Sequence, residues 1–171
     1  MNNIVKNKIW INISVLIATE VVLSRFLSLS TPLTKIGFGF VPIAICAILY
    51  GPIFAGIAGA VSDIVGAILF PIGPYFPGFT LSAALTGIVF GVFLFNHKIN
   101  FIWLLCVVLI NCLGISLLIS TLWLTIITGT PWMLLLPIRI ISSLIMIPVQ
   151  FGSLFLLQKV IRIPISITND H

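Results

Sequence analysis

The sequence predicts an all-α integral membrane protein with six transmembrane helices. Of its 171 residues, 60% are hydrophobic and only 6% are charged, and the mean hydropathy is +1.32. A soluble domain is roughly 45–50% apolar and about 25% charged, so a water-soluble fold is excluded. Uncharged stretches at 36–62, 64–97, 99–138 and 140–158 separate the few charged residues, and a spanning helix needs about 20 apolar residues. The alternating polarity of transmembrane barrel strands is missing, which leaves helices.

The six helices follow from the apolar runs and from the turn signals between them. We expect them at 9–29, 38–49, 53–70, 80–95, 101–128 and 131–158. An outer loop that carries Lys35 follows the first helix, and the Tyr50-Gly51-Pro52 turn separates the second from the third. The segment 71–79, rich in proline, glycine and aromatics, is predicted as a second outer loop. Pro137 and Pro148 are expected to bend the last helix. Residues 1–171 thus form a single six-helix membrane domain.

The distribution of positive charge predicts that the N- and C-termini are both cytoplasmic. Five cations lie at the two termini and in the turn at 96–100, which share one side of the membrane if the helix number is even: Lys6, Lys8, Lys98, Lys159 and Arg162. By the positive-inside rule this side is the cytoplasm. The net charge of +5 therefore reflects topology and not a nucleic-acid partner. Because Glu20 interrupts the first apolar run and no small-residue cleavage site follows, we expect this helix to be retained in a multi-pass protein of a bacterial plasma membrane.

Several kinds of chemistry are excluded by what the sequence lacks. Neither GxxxxGK[ST] nor GxGxxG occurs, so any ATP must be hydrolysed by another subunit. His97 and His171 stand alone, without the second ligand of a metal site, and Cys46, Cys106 and Cys112 lie in apolar runs as buried side chains. No polar segment is long enough for a catalytic domain. We therefore expect no metal, no cofactor and no enzymatic activity.

Four charged side chains lie inside the apolar segments, where an ionisable residue is a candidate functional residue. Glu20, Arg25, Asp63 and Arg139 all fall in the outer half of their helices at a rise of about 1.5 Å per residue. They can neutralise one another and hold the bundle in register. With Lys35 in the adjacent loop, however, the outer region has three cations and two acids, an excess that suits an anionic ligand.

Aromatic residues of the outer loops lie at the same level as these charges. They can form an interfacial belt, or they can wall a pocket for a flat heterocycle. A carboxylate such as that of Asp63 can accept from the adjacent N–H groups of a 2-amino-pyrimidinone, and guanidinium groups can hold carboxylates bidentately. An aromatic amine at one end and carboxylates at the other describe a folate. The predicted substrate-binding residues are Arg25, Lys35, Asp63, Tyr75, Phe76, Phe79, Trp132 and Arg139.

Small residues at helical spacing let two helix backbones approach closely. They cluster in the third helix around Gly56 and Gly59, and recur as Gly87 and Gly91 in the fourth. They indicate either tight packing within the bundle or a docking surface for another membrane subunit. The small pair Ser14 and Ala18 on the first helix raises the same two interpretations.

Four stretches in the first 95 residues resemble one family in order and spacing: KIGFGFVPI at 35–43, LYGP at 49–52, SDIVGA at 62–67 and YFPGFT at 75–80. They are similar to the substrate-binding S components of energy-coupling factor (ECF) vitamin transporters, most closely to the folate-specific branch. The resemblance implies capture of one vitamin at the outer face, association with a transmembrane coupling subunit and two ATPases, and toppling in the membrane to release the ligand inward.

The resemblance also implies roles for particular residues. Arg25 stands in the Ser-Arg-Phe setting of a ligand contact, and the family's Ala-xxx-Ala coupling contact corresponds to Ser14 and Ala18 here. We accordingly expect the coupling-subunit interface to include Ser14, Ala18, Gly56 and Gly59. The alternatives are an S component for another vitamin, such as pantothenate or thiamine, an intramembrane enzyme using Glu20 and Asp63, and a stand-alone channel or carrier.

Overall fold

The computed structural model describes residues 3–30, 35–71, 74–96 and 100–168, with side chains at 7–28, 36–71, 74–96 and 100–160. Nearly all of this chain is helical. The elements in order are α1 (Asn3–Phe26), β1 (Ser28–Ser30), β2 (Lys35–Gly37), α2 (Phe40–Tyr50), α3 (Pro52–Leu69), α4 (Pro77–Leu94), α5 (Phe101–Leu109), a π-helix (Ile110–Ile119), α6 (Ser120–Thr128) and α7 (Trp132–Thr168).

The prediction of an all-α membrane protein is confirmed in its main feature. Five helical stretches in the described chain are long and apolar enough to cross a membrane: Asn7–Phe26, Pro52–Leu69, Pro77–Leu94, Phe101–Thr128 and Trp132–Val160. The remaining apolar helix, α2, has 11 residues. At about 1.5 Å per residue it spans roughly half of a hydrocarbon core of about 30 Å. Six full spans therefore stay a prediction.

A pair of short antiparallel strands that the sequence did not predict forms a β-hairpin between α1 and α2. Helix α1 ends at Phe26 and not at Leu29, because the chain turns into β1, which pairs antiparallel with β2 in the register Ser28↔Gly37. The Ser28 hydroxyl donates to the Ser24 carbonyl (2.5 Å), which satisfies one carbonyl of the last helical turn. A Cβ on Gly37 would overlap Ser28, so the hairpin requires glycine there.

Helices α3 and α4 pack backbone against backbone. A Cβ on Gly87 would overlap the Ala55 carbonyl, and one on Gly59 would overlap the Ala83 carbonyl. A Cβ on Gly91 would likewise overlap Pro52. The interpretation of these glycines as packing within the bundle is therefore correct. Such close approach is how membrane helices gain van der Waals contact.

The predicted helix at 101–128 is continuous, but its middle is a π-helix over Ile110–Ile119. The backbone N–H of Ser120 donates to the Ile115 carbonyl, five residues back instead of the four of an α-helix, and the Ser120 hydroxyl donates to the same oxygen (3.1 Å). Short π-turns inside α-helices occur frequently at functional sites. The π-helix Ile110–Ile119 brings polar residues of the uncharged stretch 99–138 toward the middle of the bundle.

The dense hydrophobic core lies in the half of the bundle that contains the α2–α3 and α4–α5 connections. Fully or almost fully buried members from five helices include Ala47, Ala55, Leu94, Leu104 and Leu154. Large apolar side chains on the outside of the helices are exposed, as a lipid-facing surface requires. The opposite half of the bundle is less tightly filled and contains a cavity.

Candidate ligand-binding site

A cavity of about 460 Å³ lies between the helices and opens where α1 and α3 end and α4 begins. Every helix except α5 contributes to its lining, and so does the hairpin through Gly37. Its volume falls in the range of roughly 300–1,000 Å³ that is typical of small-molecule sites. The size and position indicate a binding site for one organic molecule.

The mouth of the cavity contains Arg25, near the last residue of α1. Its guanidinium lies on the backbone of Gly66 in α3, where an added Cβ would be 2.9 Å from Nε. In the described part of the chain, the buried Nε of Arg25 has no hydrogen-bond partner. A buried donor of this kind is costly unless it is satisfied. The arginine is thus poised to bind an anionic group of a ligand.

A chain of hydrogen bonds links the segment 74–76, just before α4, to Asp63. The Thr80 hydroxyl donates to Asp63 Oδ2 (2.8 Å) and lies 3.1 Å from the Tyr75 hydroxyl. Because Thr80 has a single proton and gives it to the carboxylate, the Tyr75 hydroxyl must be the donor to Thr80. Asp63 therefore acts as an acceptor on the cavity wall, and it can accept further N–H groups.

Aromatic side chains form one side of the cavity. The rings of Phe76 and Phe79 meet edge to face with centroids 6.4 Å apart, and Phe76 packs on Trp123 of α6 at 5.6 Å. The indole N–H of Trp123 donates to the hydroxyl of the buried Ser82 (3.1 Å). Gly78 is required beneath them, since a Cβ there would lie 2.5 Å from Phe76 and 2.6 Å from Trp123.

A second arginine lines the cavity from the opposite side. Arg139 of α7 donates through Nη1 to the Ser116 carbonyl of the π-helix (3.3 Å). Within the described residues its buried Nε has no hydrogen-bond partner. Glu20 of α1 also lines the cavity, next to Gly39, where a Cβ would lie 3.1 Å from the carboxylate oxygen Oε1. The cavity lining thus contains both positively and negatively charged side chains.

The floor of the cavity consists of neutral polar groups. Thr86 donates to Asn111 Oδ1 (3.0 Å), and Asn111 Nδ2 donates to Gln150 Oε1 (3.0 Å). The Cys112 thiol also approaches Gln150 Oε1 (3.4 Å). Thr86 is nine residues after Pro77, so the floor lies about 14 Å below the start of α4. None of these residues was predicted, because single uncharged polar residues in long apolar runs also occur as ordinary packing. Their position within a membrane span was the available signal.

Six of the eight residues predicted for the ligand site line the cavity: Arg25, Asp63, Tyr75, Phe76, Phe79 and Arg139. The backbone of Lys35 belongs to β2, but its side chain lies outside the described residues. Trp132 does not line the cavity, since it begins α7 with 40% of its surface exposed, and its role as a ligand contact stays a prediction. Trp123 is not part of the lining either, but it packs on the lining residue Phe76 and donates to the lining residue Ser82.

The four residues predicted for a subunit interface separate into two pairs. Ser14 and Ala18 are exposed on one face of α1, where a partner can reach them. Gly59 is buried against the Ala83 carbonyl, so it packs within this chain and its role at a subunit interface stays a prediction. Gly56 is also buried, with a virtual Cβ 2.8 Å from Ile88, although it borders an apolar surface groove between α3 and α4. Both glycines serve the α3–α4 contact.

Other chemistry has few candidates in the described part of the chain. It contains no group of three His, Cys, Asp or Glu side chains able to hold a metal ion. Its cysteines, Cys46, Cys106 and Cys112, are free thiols. The cavity lining itself offers hydrogen-bonding groups, charged groups and aromatic rings for reversible binding.

Residues 9–158 of this chain match the family model of the substrate-specific component of ECF transporters. The chain therefore belongs to that family, and its helical fold and cavity agree with a substrate-binding component. It is similar to two proteins named folate transporter FolT. The one from Clostridium novyi is 42% identical over 145 residues, which is 85% of this chain and 84% of that protein. The one from Leuconostoc mesenteroides is 31% identical over 161 residues, 88% of this chain and 84% of that protein.

A solved structure is similar as well. The crystal structure of FolT bound with folic acid has a TM-score of 0.82 and 35% identity, and covers 86% of this chain and 90% of that one. The chain is thus a multi-pass membrane protein and a transporter component. The alternative of an intramembrane enzyme using Glu20 and Asp63 is wrong, because the family consists of transporter components and the relatives are named as transporters.

Proposed function

We propose that this chain is the folate-binding subunit of an ECF-type uptake transporter in the plasma membrane. In this proposal it captures folate at the outer face and then docks on a separate transmembrane coupling subunit with two ATPases. The observation that carries the proposal is the cavity itself, with a guanidinium at the mouth, aromatic rings and a carboxylate on the walls, and neutral polar groups at the floor. The similarity to the folic-acid-bound structure supports it.

The charges favour one orientation of the ligand. Folic acid has two carboxylates at one end and a neutral pteridine ring at the other. Arg25 at the mouth can bind a carboxylate in the bidentate geometry of a guanidinium. The floor offers Thr86, Asn111 and Gln150, which are uncharged, and a carboxylate buried there without a cation is unfavourable. The pteridine therefore lies deep, and Asp63 on the wall accepts its N–H groups.

The proposed topology has both termini in the cytoplasm and the mouth of the cavity outside. The cations Lys6, Lys8, Lys98, Lys159 and Arg162 lie at the termini and in the α4–α5 connection. The cavity opens at the other end of the bundle, where α1 and α3 end. The positive-inside rule then directs the mouth to the outer side.

The coupling subunit is proposed to bind α1. Ser14 and Ala18 are exposed small residues one helical turn apart, so a partner helix can approach the backbone of α1 closely. The Ser14 hydroxyl donates to the Trp10 carbonyl (2.9 Å), which leaves it without a free proton and makes this face effectively apolar.

The test is a titration of the purified full-length chain in detergent with folic acid, and with thiamine, riboflavin and pantothenate as controls. We expect saturable binding of folic acid alone. Arg25→Ala should weaken it by about 2–5 kcal/mol, the range for truncating one partner of a buried charge pair. Arg25→Lys, which keeps the charge but loses the planar fork, should fall in between.

Two results would contradict the proposal. Binding of another vitamin in preference to folic acid would keep the family and overturn the ligand. Uptake of folate into liposomes by this chain alone, without ATPase subunits, would overturn the role as a subunit and favour a stand-alone carrier.

A further inference from the structure

Arg139 of α7 is a half-buried cation inside a membrane span, where a charge is costly unless it is compensated. In the described part of the chain its guanidinium makes one hydrogen bond, from Nη1 to the Ser116 carbonyl (3.3 Å), and no ion pair. The two acids that line the cavity lie on other elements: Asp63 accepts from α4, and Glu20 lies beside the start of α2. The charge of Arg139 is therefore left for a ligand to compensate.

The junction between the π-helix and α6 holds this guanidinium in place. The Ser120 backbone N–H bonds to the Ile115 carbonyl, five residues back, and α6 then continues with the spacing of an α-helix. A change from five-residue to four-residue spacing passes over one backbone carbonyl, which needs another donor. The carbonyl that follows Ile115 belongs to Ser116, and it is the one that Arg139 Nη1 reaches. The backbone thus fixes one end of the guanidinium.

The other edge of the Arg139 guanidinium, formed by Nε and Nη2, is still available. This edge matches the two oxygens of a carboxylate, because its N–H groups lie parallel in one plane. Nε is buried and has no hydrogen-bond partner among the described residues, and an unsatisfied buried donor is costly. An anionic group on this edge would satisfy the donor and compensate the charge together.

Arg139 lies at the level of the cavity mouth. It precedes Gln150 by eleven residues on α7, which is about 16 Å toward the start of that helix. Gln150 belongs to the floor, about 14 Å below the start of α4. Arg25 reaches the mouth from α1. Two guanidinium groups on separate helices therefore flank the mouth, whereas the floor is neutral.

We propose that Arg139 binds a second anionic group of the ligand, so that the site is specific for a dianion. This inference rests on the proposed function, in which Arg25 binds one carboxylate of folate. Folic acid has two carboxylates, α and γ, on its glutamate end. Each of them then has its own guanidinium, and a ligand with one carboxylate leaves one buried cation without a partner.

The first test compares folic acid with its α-monoamide and its γ-monoamide as ligands of the purified full-length chain in detergent. Each monoamide keeps the size of folic acid but has one carboxylate fewer. Both should bind the wild type about tenfold to a hundredfold more weakly, the effect of losing one hydrogen-bonded charge. If Arg25 alone reads a carboxylate, only one of the two monoamides is weakened.

The second test repeats the comparison with Arg139→Met. The variant should bind one of the two monoamides as tightly as it binds folic acid, because the partner of that carboxylate is gone, and should still discriminate against the other. A merely structural role of Arg139 at the π-helix would weaken all three ligands equally and leave both affinity ratios at their wild-type values.

Two further variants keep the comparison decisive. Lys159→Met removes an exposed cation of α7 outside the cavity lining, so both ratios should stay at the wild-type values. Arg139→Lys keeps the charge but cannot hold the Ser116 carbonyl and a carboxylate fork together. It should lower the ratio for the same monoamide partly, even if Arg139→Met fails to fold.

The possible failures are distinguishable. Wild-type discrimination against only one monoamide, or against neither, would overturn the inference and leave the proposed function standing. Two wild-type ratios that survive in Arg139→Met would overturn it too. If folic acid itself does not bind, the proposed function fails and the inference fails with it.

Discussion

Substitution of Gly66 by alanine tests how α3 positions the arginine at the cavity mouth. The new Cβ would lie 2.9 Å from Arg25 Nε and 3.1 Å from Nη2, closer than ordinary van der Waals contact. The guanidinium must move by several tenths of an ångström or more, which misaligns it for a bidentate carboxylate contact. We expect folic acid affinity to fall by about 1–3 kcal/mol, the cost of one impaired hydrogen bond to a charged group.

Stability should respond in the opposite way. Gly66 lies inside α3, where alanine is favoured over glycine by about 1 kcal/mol. The atoms that must yield belong to the end of a flexible side chain, so the fold is not strained. The melting temperature of Gly66→Ala in detergent should therefore equal or exceed that of the wild type while folic acid binding weakens.

The matched control is Gly152→Ala on α7, where an added Cβ meets nothing within 4 Å. It should bind folic acid like the wild type. The reasoning is refuted if Gly66→Ala binds folic acid as tightly as Gly152→Ala does. It is also refuted if the loss of affinity comes with a matching drop in melting temperature.

Three further variants test other parts of the molecule. Gly87→Ala would place a methyl group on the Ala55 carbonyl of α3. Thermal unfolding should therefore show a free energy of unfolding lower by about 1–3 kcal/mol, as for overpacked cores. A stability equal to that of Gly152→Ala would contradict the close α3–α4 packing. Trp123→Phe should abolish most folic-acid quenching of tryptophan fluorescence and Trp132→Phe should not, because Trp123 packs on the cavity-lining Phe76 whereas Trp132 is exposed at the start of α7. The reverse result would place the ligand elsewhere. Ala18→Leu should leave folic acid affinity unchanged but reduce co-purification with the coupling and ATPase subunits, and undiminished assembly would exclude this face of α1.

Helix positions were predictable because long apolar runs and proline–glycine turns determine them directly. The Tyr50-Gly51-Pro52 turn falls between α2 and α3 as expected, with Gly51 at a φ of 87° that favours glycine. The start of α4 was set three residues late, at Thr80 instead of Pro77. A proline ends a preceding helix but is well accommodated in the first turn of the next, and Pro77 occupies that position.

The charged part of the site was predictable and its neutral part was not. Arg25, Asp63 and Arg139 stand out because charge is rare in this chain, and all three line the cavity. Asn111 and Gln150 become informative only when the helices are brought together, since their partners are 25 and 39 residues away in sequence. Likewise, three-residue strands such as β1 have no detectable periodicity, and they form because the hairpin packs on the end of α1.

The π-helix makes the binding site sensitive to the number of residues in the chain, and not only to their identity. A segment bonded from i to i+5 accommodates more residues in each turn than an α-helix does. Deleting a single residue from Ile110–Ile119 would let the segment tighten toward an α-helix and rotate the side chains before it relative to those after it. Asn111 and Ser116 would then lose their common direction toward the cavity. Evolution can therefore exchange side chains in this stretch, whereas a change in its length would dismantle the floor of the site.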